Sequence, residues 1–335
     1  MSNSMTDPKT LSEIGERGWL SLLEQTLRKH GKDLIVPIGD DATVRTLGDR
    51  CEILTSDALI EGTHFKKEWL NWRGLAYRSI FAAASDVAAM GGTPKGFLLS
   101  LGLPPETQVA DLQSFADAID ELCSETGMVP YGGDTAKSER IMIDVVVIGE
   151  ASPDQILRQT GAEPGDALWV TGWLGSSRAG WLAHEDRRER EENIRERFWF
   201  PPRRWGILEN LRSNLPIRAM TDLSDGLALD LKKILGNSSC GAEVQFDQLP
   251  IEDVIGQFCE SRGIDSTEAA FLGGEDFELL VVEEGDSQPT DRLRVGEIPL
   301  TRIGRLTSNP GRIECRKGDR ILDELPRSFE HFPSS

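Results

Sequence analysis

The chain has 335 residues and a mass of 37.0 kDa, with 39% hydrophobic and 28% charged residues, the balance of a globular protein. Its 56 acidic and 37 basic residues leave a net charge of −19, a field that repels nucleic acid and anionic membrane. No apolar run reaches membrane-span length and the polar start Met1–Thr10 lacks a signal-peptide core, so a cytoplasmic protein is expected.

The length exceeds that of one ordinary domain, which predicts two. In chain order, residues 11–30 read as a helix, with Leu20, Leu22, Leu23 and Leu27 near helical spacing. Leu34–Ile38 and Ile53–Leu54 read as strands, followed by the turns Gly39–Ala42 and Thr55–Phe65. Tyr77–Met90 predicts a helix, Phe97–Leu103 a strand and Asp111–Thr126 a second helix. The strand Ile141–Gly149 closes the first half, and Ala151–Asp166, with Pro153, Pro164 and Gly165, reads as a link. Domains over residues 1–150 and 151–335 follow. The second half continues with a strand Ala167–Thr171, a helix from about Ser176 and a helix Gly226–Leu235. Strands Ala242–Phe246 and Phe277–Val282 complete it. The mixed-charge run His184–Arg197 reads as a solvated helix or loop. Helices and strands alternate, but several strands lie close enough for hairpins. The expected fold class is therefore α/β with α+β character, each domain a mixed sheet flanked by helices.

The cysteines (Cys51, Cys123, Cys240, Cys259, Cys315) are scattered, with no CxxC pair, and the four histidines form no HExxH pattern. Neither a disulfide framework nor a zinc site is expected. Aspartate, by contrast, recurs beside glycine or small residues at the ends of apolar elements. The segments are Gly39-Asp40-Asp41-Ala42, Thr55-Ser56-Asp57, Ser85-Asp86, Gly132-Gly133-Asp134-Thr135, Asp222-Leu223-Ser224-Asp225-Gly226 and Gly273-Gly274-Glu275-Asp276. Singly, each is explained by capping or Asx-turns. Two are not. Asp86 is the only charge in Ile80–Gly92, and a carboxylate buried there needs a partner or a metal. Asp222 and Asp225, three apart at an expected helix start, would converge on one face and repel without a cation between them. Oxygen ligands without His or Cys point to Mg²⁺ or another hard cation. Many carboxylates with glycines to admit phosphates fit phosphoryl transfer assisted by several such ions. The P-loop, the Rossmann fingerprint and the protein-kinase signatures are absent, so a nucleotide site must be of another kind.

IGDDA, TSDALIEGTHF, SDVAAMGGTPKG, GGDT, GAEPGDALWVTGWLG, TDLSDGL and GGEDFELL stand in the order and approximate spacing of one family. From about Gly15 to Ser328–Phe332 the chain resembles the thiamine-monophosphate kinases, members of the aminoimidazole-ribonucleotide synthetase-like superfamily. The resemblance implies two α/β domains, a homodimer formed by pairing N-terminal sheets, and ATP between the domains. It implies transfer of the ATP γ-phosphoryl group to thiamine monophosphate, with several Mg²⁺ ions and room for K⁺. The implied Mg²⁺ ligands are Asp41, Thr55, Ser56, Asp57, Asp86, Asp134, Asp222 and Asp225, of which Asp86, Asp222 and Asp225 would be catalytic. Gly133, Asp134, Ser224 and Arg158 would touch ATP, while His64, Glu275 and Phe329 would contact the substrate. His331 is expected to be structural. The family usually places an arginine where this chain has Gln159, with Arg158 one residue earlier. A sister synthetase acting on aminoimidazole ribonucleotide or making selenophosphate is the nearest alternative. A non-catalytic nucleotide or metal sensor is a second one.

Overall fold

The computed structural model describes residues 10–27, 30–31, 33–186, 191–236, 238–318 and 320–322. The first half comprises α1 (Leu11–Leu27), β1 (Leu34–Val36), β2 (Thr43–Leu47), β3 (Arg50–Ile60), α2 (Trp72–Ala89), β4 (Thr93–Leu103), α3 (Val109–Thr126), β5 (Val129–Lys137) and β6 (Met142–Ala151). The second begins with β7 (Ala167–Thr171), α4 (Ser176–Asp186), α5 (Glu192–Trp199), α6 (Leu208–Asn214), β8 (Ile217–Asp222) and α7 (Leu227–Gly236). It ends with β9 (Gly241–Gln245), α8 (Asp253–Glu260), α9 (Ser266–Leu272), β10 (Leu279–Glu283), β11 (Arg292–Val295), β12 (Ile298–Thr307), β13 (Ile313–Lys317) and β14 (Arg320–Ile321).

Each half builds one mixed sheet, as the spacing of strands predicts. The first has the order β1-β2-β3-β6-β4-β5, antiparallel except for the parallel β4–β5 pair. The second has the order β14-β13-β9-β12-β7-β10-β8, with β11 beside β12 and β13–β9 parallel. No helix among the described residues is long and apolar enough to cross a membrane.

Helix α2 is the central element. It is apolar or small on nearly every face, and such a helix is stable only when covered on all sides. It lies on β3, β4 and β6 of its own sheet and also touches β8 and α5 of the second half. One hydrophobic core runs through this contact, joining Leu75, Ile80 and Val87 to Trp169, Met220, Leu279 and Val281. The Asn71 side chain caps α2 by accepting from the Gly74 N–H at 3.0 Å. At its other end Gly149 of β6 has no room for a side chain, because a Cβ would meet Val87 Cγ1 at 2.3 Å.

Several expectations need correction. Thr55–Ile60 is not a turn but the second half of β3, which pairs along its length with β6. Gly132–Thr135 lies inside β5, where a Cβ on Gly133 would sit 1.8 Å from the Leu99 carbonyl oxygen. The glycines there allow two strands to approach across a bulge, a need indistinguishable in sequence from that of a turn. The run His184–Arg197 is only partly solvated. Ile194 is buried, and His184 stacks on Trp69 at 5.2 Å and meets Trp199 edge-on. Burial lowers the His184 pKa to about 4.

The fit of α2 on β6 yields a stability prediction. Gly149→Ala should cost about 1–3 kcal/mol in chemical denaturation, because the new methyl must push α2 from the sheet. An unchanged midpoint would show that Val87 yields without cost.

Candidate active site

Asp41, Asp86 and Asp222 come from the bend between β1 and β2, the last turn of α2 and the end of β8. They nevertheless meet, with one carboxylate oxygen from each lying within 4.8 Å of the others. Burial raises the pKa of all three. The Asp222 charge adds to the rise at Asp41 and Asp86, while Lys233 opposes it at Asp41 and Asp222. Like charges this close repel strongly in a site poor in water.

The hydrogen bonds at this centre come from neutral groups. Gln159 Nε2 and Thr221 Oγ1 donate to Asp41 Oδ1 at 2.6 and 3.0 Å, and Thr55 Oγ1 donates to Asp86 Oδ2 at 2.5 Å. Ser224 Oγ lies 3.5 Å from Asp222 Oδ1, a weak contact. Asp41 Oδ2 and Asp222 Oδ2 are buried with no hydrogen-bond partner among the described residues. Buried orphan carboxylate oxygens are costly, and a hard cation bound between them would satisfy both. The donor set is all oxygen, which fits Mg²⁺ and not zinc.

Asp57 lies on the α2 face of β3, two residues from Thr55 and thus on the same side. Burial, reinforced by Glu275 and Asp222 and opposed by the Ala58 N–H and Arg78, pushes its pKa to about 7. Ser56 faces the other way and donates to Asp144 Oδ1 at 2.8 Å. Register carries that row onward, since Asp144 pairs with Ser100 and Ser100 with Asp134. The side chains expected to hold metal therefore divide between the two faces of the first sheet. Asp41, Thr55, Asp57, Asp86 and Asp222 gather on the α2 side, whereas Ser56 and Asp134 line the open side.

Asp225 does not converge with Asp222 on a helix face. Asp222 ends β8, the loop Leu223–Gly226 follows, and α7 starts only at Leu227. Asp225 Oδ2 instead pairs with Lys233 Nζ at 3.0 Å, and its N–H donates to Asp230 Oδ2 at 3.0 Å. Lys233 also binds Asp230 Oδ1 at 2.7 Å. Burial works against the Lys233 charge, but Asp230, Asp225, Asp222 and Asp41 outweigh it and raise its pKa.

The loop carrying Glu275 is stitched beside this segment. The Glu275 and Phe277 N–H groups donate to the Ser224 and Leu223 carbonyls at 2.7 and 3.0 Å. Both residues adopt positive φ (64° and 50°), conformations that ordinary side chains disfavour and that cluster at functional sites. Arg78, only 1% exposed within α2, reaches across and pairs with Glu275 Oε2 at 2.5 Å. Asp276 turns away and accepts from the Gly175 and Ser177 N–H groups at 2.7 and 3.0 Å, which orders the start of α4.

His64 follows β3, and its Nδ1 accepts from the Ile60 N–H at 2.9 Å. Gly133 and Asp134 line a cleft of about 360 Å³ with Phe97, Leu99, Leu101 and Ile119. Arg158 points elsewhere than expected, donating to the Ile35 carbonyl at 2.7 Å. Phe329 and His331 lie outside the described residues. Gln159, Thr221, Lys233 and Arg78 also contact acidic residues of this candidate site, and none of them is assigned to it by the sequence. Of these, only Gln159 carried a sequence signal, its departure from the expected arginine.

The AIR synthase related protein, N-terminal domain, matches residues 39–151, and the AIR synthase related protein, C-terminal domain, matches residues 163–315. The thiamine-monophosphate kinase of Aquifex aeolicus is 30% identical over 327 residues, covering 96% of this chain and 99% of that protein. The Bacillus subtilis thiamine-monophosphate kinase is 30% identical over 316 residues, covering 90% and 95%. Among solved structures, AaThiL complexed with AMPPCP and TMP superposes with a TM-score of 0.84 at 29% identity, covering 98% of this chain and all of that one. Escherichia coli HypE, a hydrogenase maturation protein, shares the fold alone, at 19% identity, a TM-score of 0.66 and coverage of 84% and 88%. The chain belongs to the thiamine-monophosphate kinase family.

Proposed function

We propose that this chain phosphorylates thiamine monophosphate with ATP, forming thiamine diphosphate and ADP. The observation that carries the reading is the Asp41–Asp86–Asp222 cluster, set within a chain that matches thiamine-monophosphate kinases nearly end to end. The AaThiL complex holds an ATP analogue and TMP together, the pair of ligands such a transfer requires.

Asp41, Asp86 and Asp222 would hold Mg²⁺, with Asp57 and Thr55 beside them on the same face of β3. When bound, the ion supplies charge neutralisation for phosphate oxygens as negative charge redistributes in the transition state. The acceptor is a phosphate oxygen, already anionic, so a direct transfer needs no strong general base. That agrees with a centre built from carboxylates and hydroxyls. Glu275, held by Arg78 beside the Ser224 loop, and His64, oriented by the Ile60 N–H, would contact thiamine monophosphate. Phe329 is proposed for the same role on resemblance alone. Gly133 and Asp134 would meet ATP at the cleft beside β5, and Ser224 and Asp225 would approach it from the second half. Arg158 is a weaker candidate, because the Ile35 carbonyl already holds its guanidinium. K⁺ gains no support from the contacts of the described residues.

The homodimer and the division near residue 150 belong to the same reading. The face of the first sheet turned away from α2 exposes Leu98 and Met142, and the edge strand β5 exposes Val129 and Tyr131. A face with exposed apolar side chains beside the Ser56–Asp144–Ser100–Asp134 row, ending in an unpaired edge, is a surface that a second copy can cover. Light scattering should then give the mass of two 37.0 kDa chains, and Leu98→Asp should reduce it to one. A monomeric wild-type protein contradicts the dimer.

The activity is tested by incubating the protein with Mg-ATP and thiamine monophosphate and separating the products. Thiamine diphosphate and ADP should appear in equal amounts, and Asp86→Asn should lower kcat by about 10²-fold or more. Absence of the diphosphate refutes the assignment, and an Asp86→Asn rate near wild type removes Asp86 from the machinery.

Metal linkage gives a pH prediction. The folded-state pKa values of Asp41, Asp86, Asp222 and Asp57 all lie above their ordinary value, so the stability of their protonated forms is lost as pH rises. Mg²⁺ binds the ionised forms. The rise in Tm on adding Mg²⁺ should therefore be larger at about pH 8 than at about pH 6. Equal rises would place the metal on carboxylates with ordinary pKa values.

A further inference from the structure

The link between the two sheets passes directly over the acidic centre at Arg158 and Gln159. Its backbone is pinned on both sides: the Arg158 carbonyl accepts from the Met220 N–H of β8 at 3.0 Å, and the Gln159 N–H points at the Asp40 carboxylate at 3.3 Å. The Gln159 side chain, in a residue 5% exposed, then extends inward. Its Nε2 lies 2.6 Å from Asp41 Oδ1 and 3.3 Å from Thr221 Oγ1, and that hydroxyl in turn donates to Asp41 Oδ1 at 3.0 Å. Amide, hydroxyl and carboxylate form a closed triangle spanning the first half, the link and the second half.

The triangle has two consequences. Both donors engage the same oxygen of Asp41, so the carboxylate cannot rotate freely, and Oδ2 is left buried with no partner among the described residues. Both donors are also neutral. They fix the direction of the carboxylate without cancelling its charge, which a guanidinium or ammonium in the same place would do.

We propose that Gln159 is a positioning residue that, together with Thr221, turns Asp41 Oδ2 toward a divalent cation shared with Asp86 and Asp222. It thereby sets the metal affinity of the site. The inference rests on the Mg²⁺ reading above and adds a residue to it. The contacts of Gln159 run to Asp40, Asp41 and Thr221. Its effect passes through Asp41.

The test measures Mn²⁺ binding to the full chain, without nucleotide, from the electron paramagnetic resonance signal of the free ion. Gln159→Leu should weaken the tightest Mn²⁺ site by about tenfold, the range found when an outer partner of a metal ligand is removed. Thr221→Val, which deletes only the second donor, should weaken it in the same direction and serves if Gln159→Leu does not fold. In turnover assays the Mg²⁺ concentration at half-maximal rate should rise by about the same factor, with kcat at saturating Mg²⁺ within about threefold of wild type. A merely structural role would lower stability without this split. Mn²⁺ affinity unchanged in the variants overturns the proposal, as does a kcat lost at saturating Mg²⁺ with normal metal affinity. A wild-type protein that binds no Mn²⁺ overturns the metal reading itself, a separate and distinguishable result.

Discussion

Three carboxylates that repel one another, Asp222 buried and Asp41 and Asp86 half-buried, are the constraint on which this structure turns. Asp41, Asp86 and Asp222 are distant in sequence, yet one oxygen of each falls within 4.8 Å of the others. Nothing in local propensity brings them together. They meet because α2 is buried between two sheets and carries Asp86 to the point where β8 ends in Asp222. The hydrophobic core shared by both halves opposes the electrostatic cost of that meeting. A divalent cation removes the same cost on binding, which couples metal affinity to stability.

The surroundings of the cluster are graded by charge. Thr55, Gln159, Thr221 and Ser224 contact the central carboxylates with neutral groups. The fixed cations stand at the rim, where Lys233 binds Asp225 and Asp230, and Arg78 binds Glu275. The centre is thus oriented but not neutralised, while the rim is locked. That distribution suits a site that would attract metal-bound phosphates while the Glu275 loop stays rigid. The left-handed backbone at Glu275 and Phe277 belongs to this locked rim, tied by hydrogen bonds to Ser224 and Leu223.

Much of this was legible in the sequence, and the reasons for the rest are physical. Asp86 stands out in the sequence because the only charge in the apolar stretch Ile80–Gly92 has few explanations, and the structure places it in the cluster. The expected convergence of Asp222 and Asp225 on a helix start does not hold, because Asp222 ends β8 and α7 begins only at Leu227. The division of Thr55 and Asp57 from Ser56 depends on strand alternation, which vanishes if Thr55–Phe65 is read as a turn. Gln159 announced itself as a departure from the family pattern, but its contact with Asp41 spans 118 residues of chain. Only tertiary structure supplies contacts of that kind.

The central claim is that one divalent cation is shared by carboxylates from three segments at the junction of the two halves. Anomalous diffraction from crystals grown with Mn²⁺ and a non-hydrolysable ATP analogue tests it most directly. The account predicts a peak among Asp41, Asp86 and Asp222, at metal–oxygen distances near 2.0–2.2 Å expected for a small hard cation (about that range). A well-ordered nucleotide with no metal peak at those three residues, or with every peak elsewhere, would contradict it.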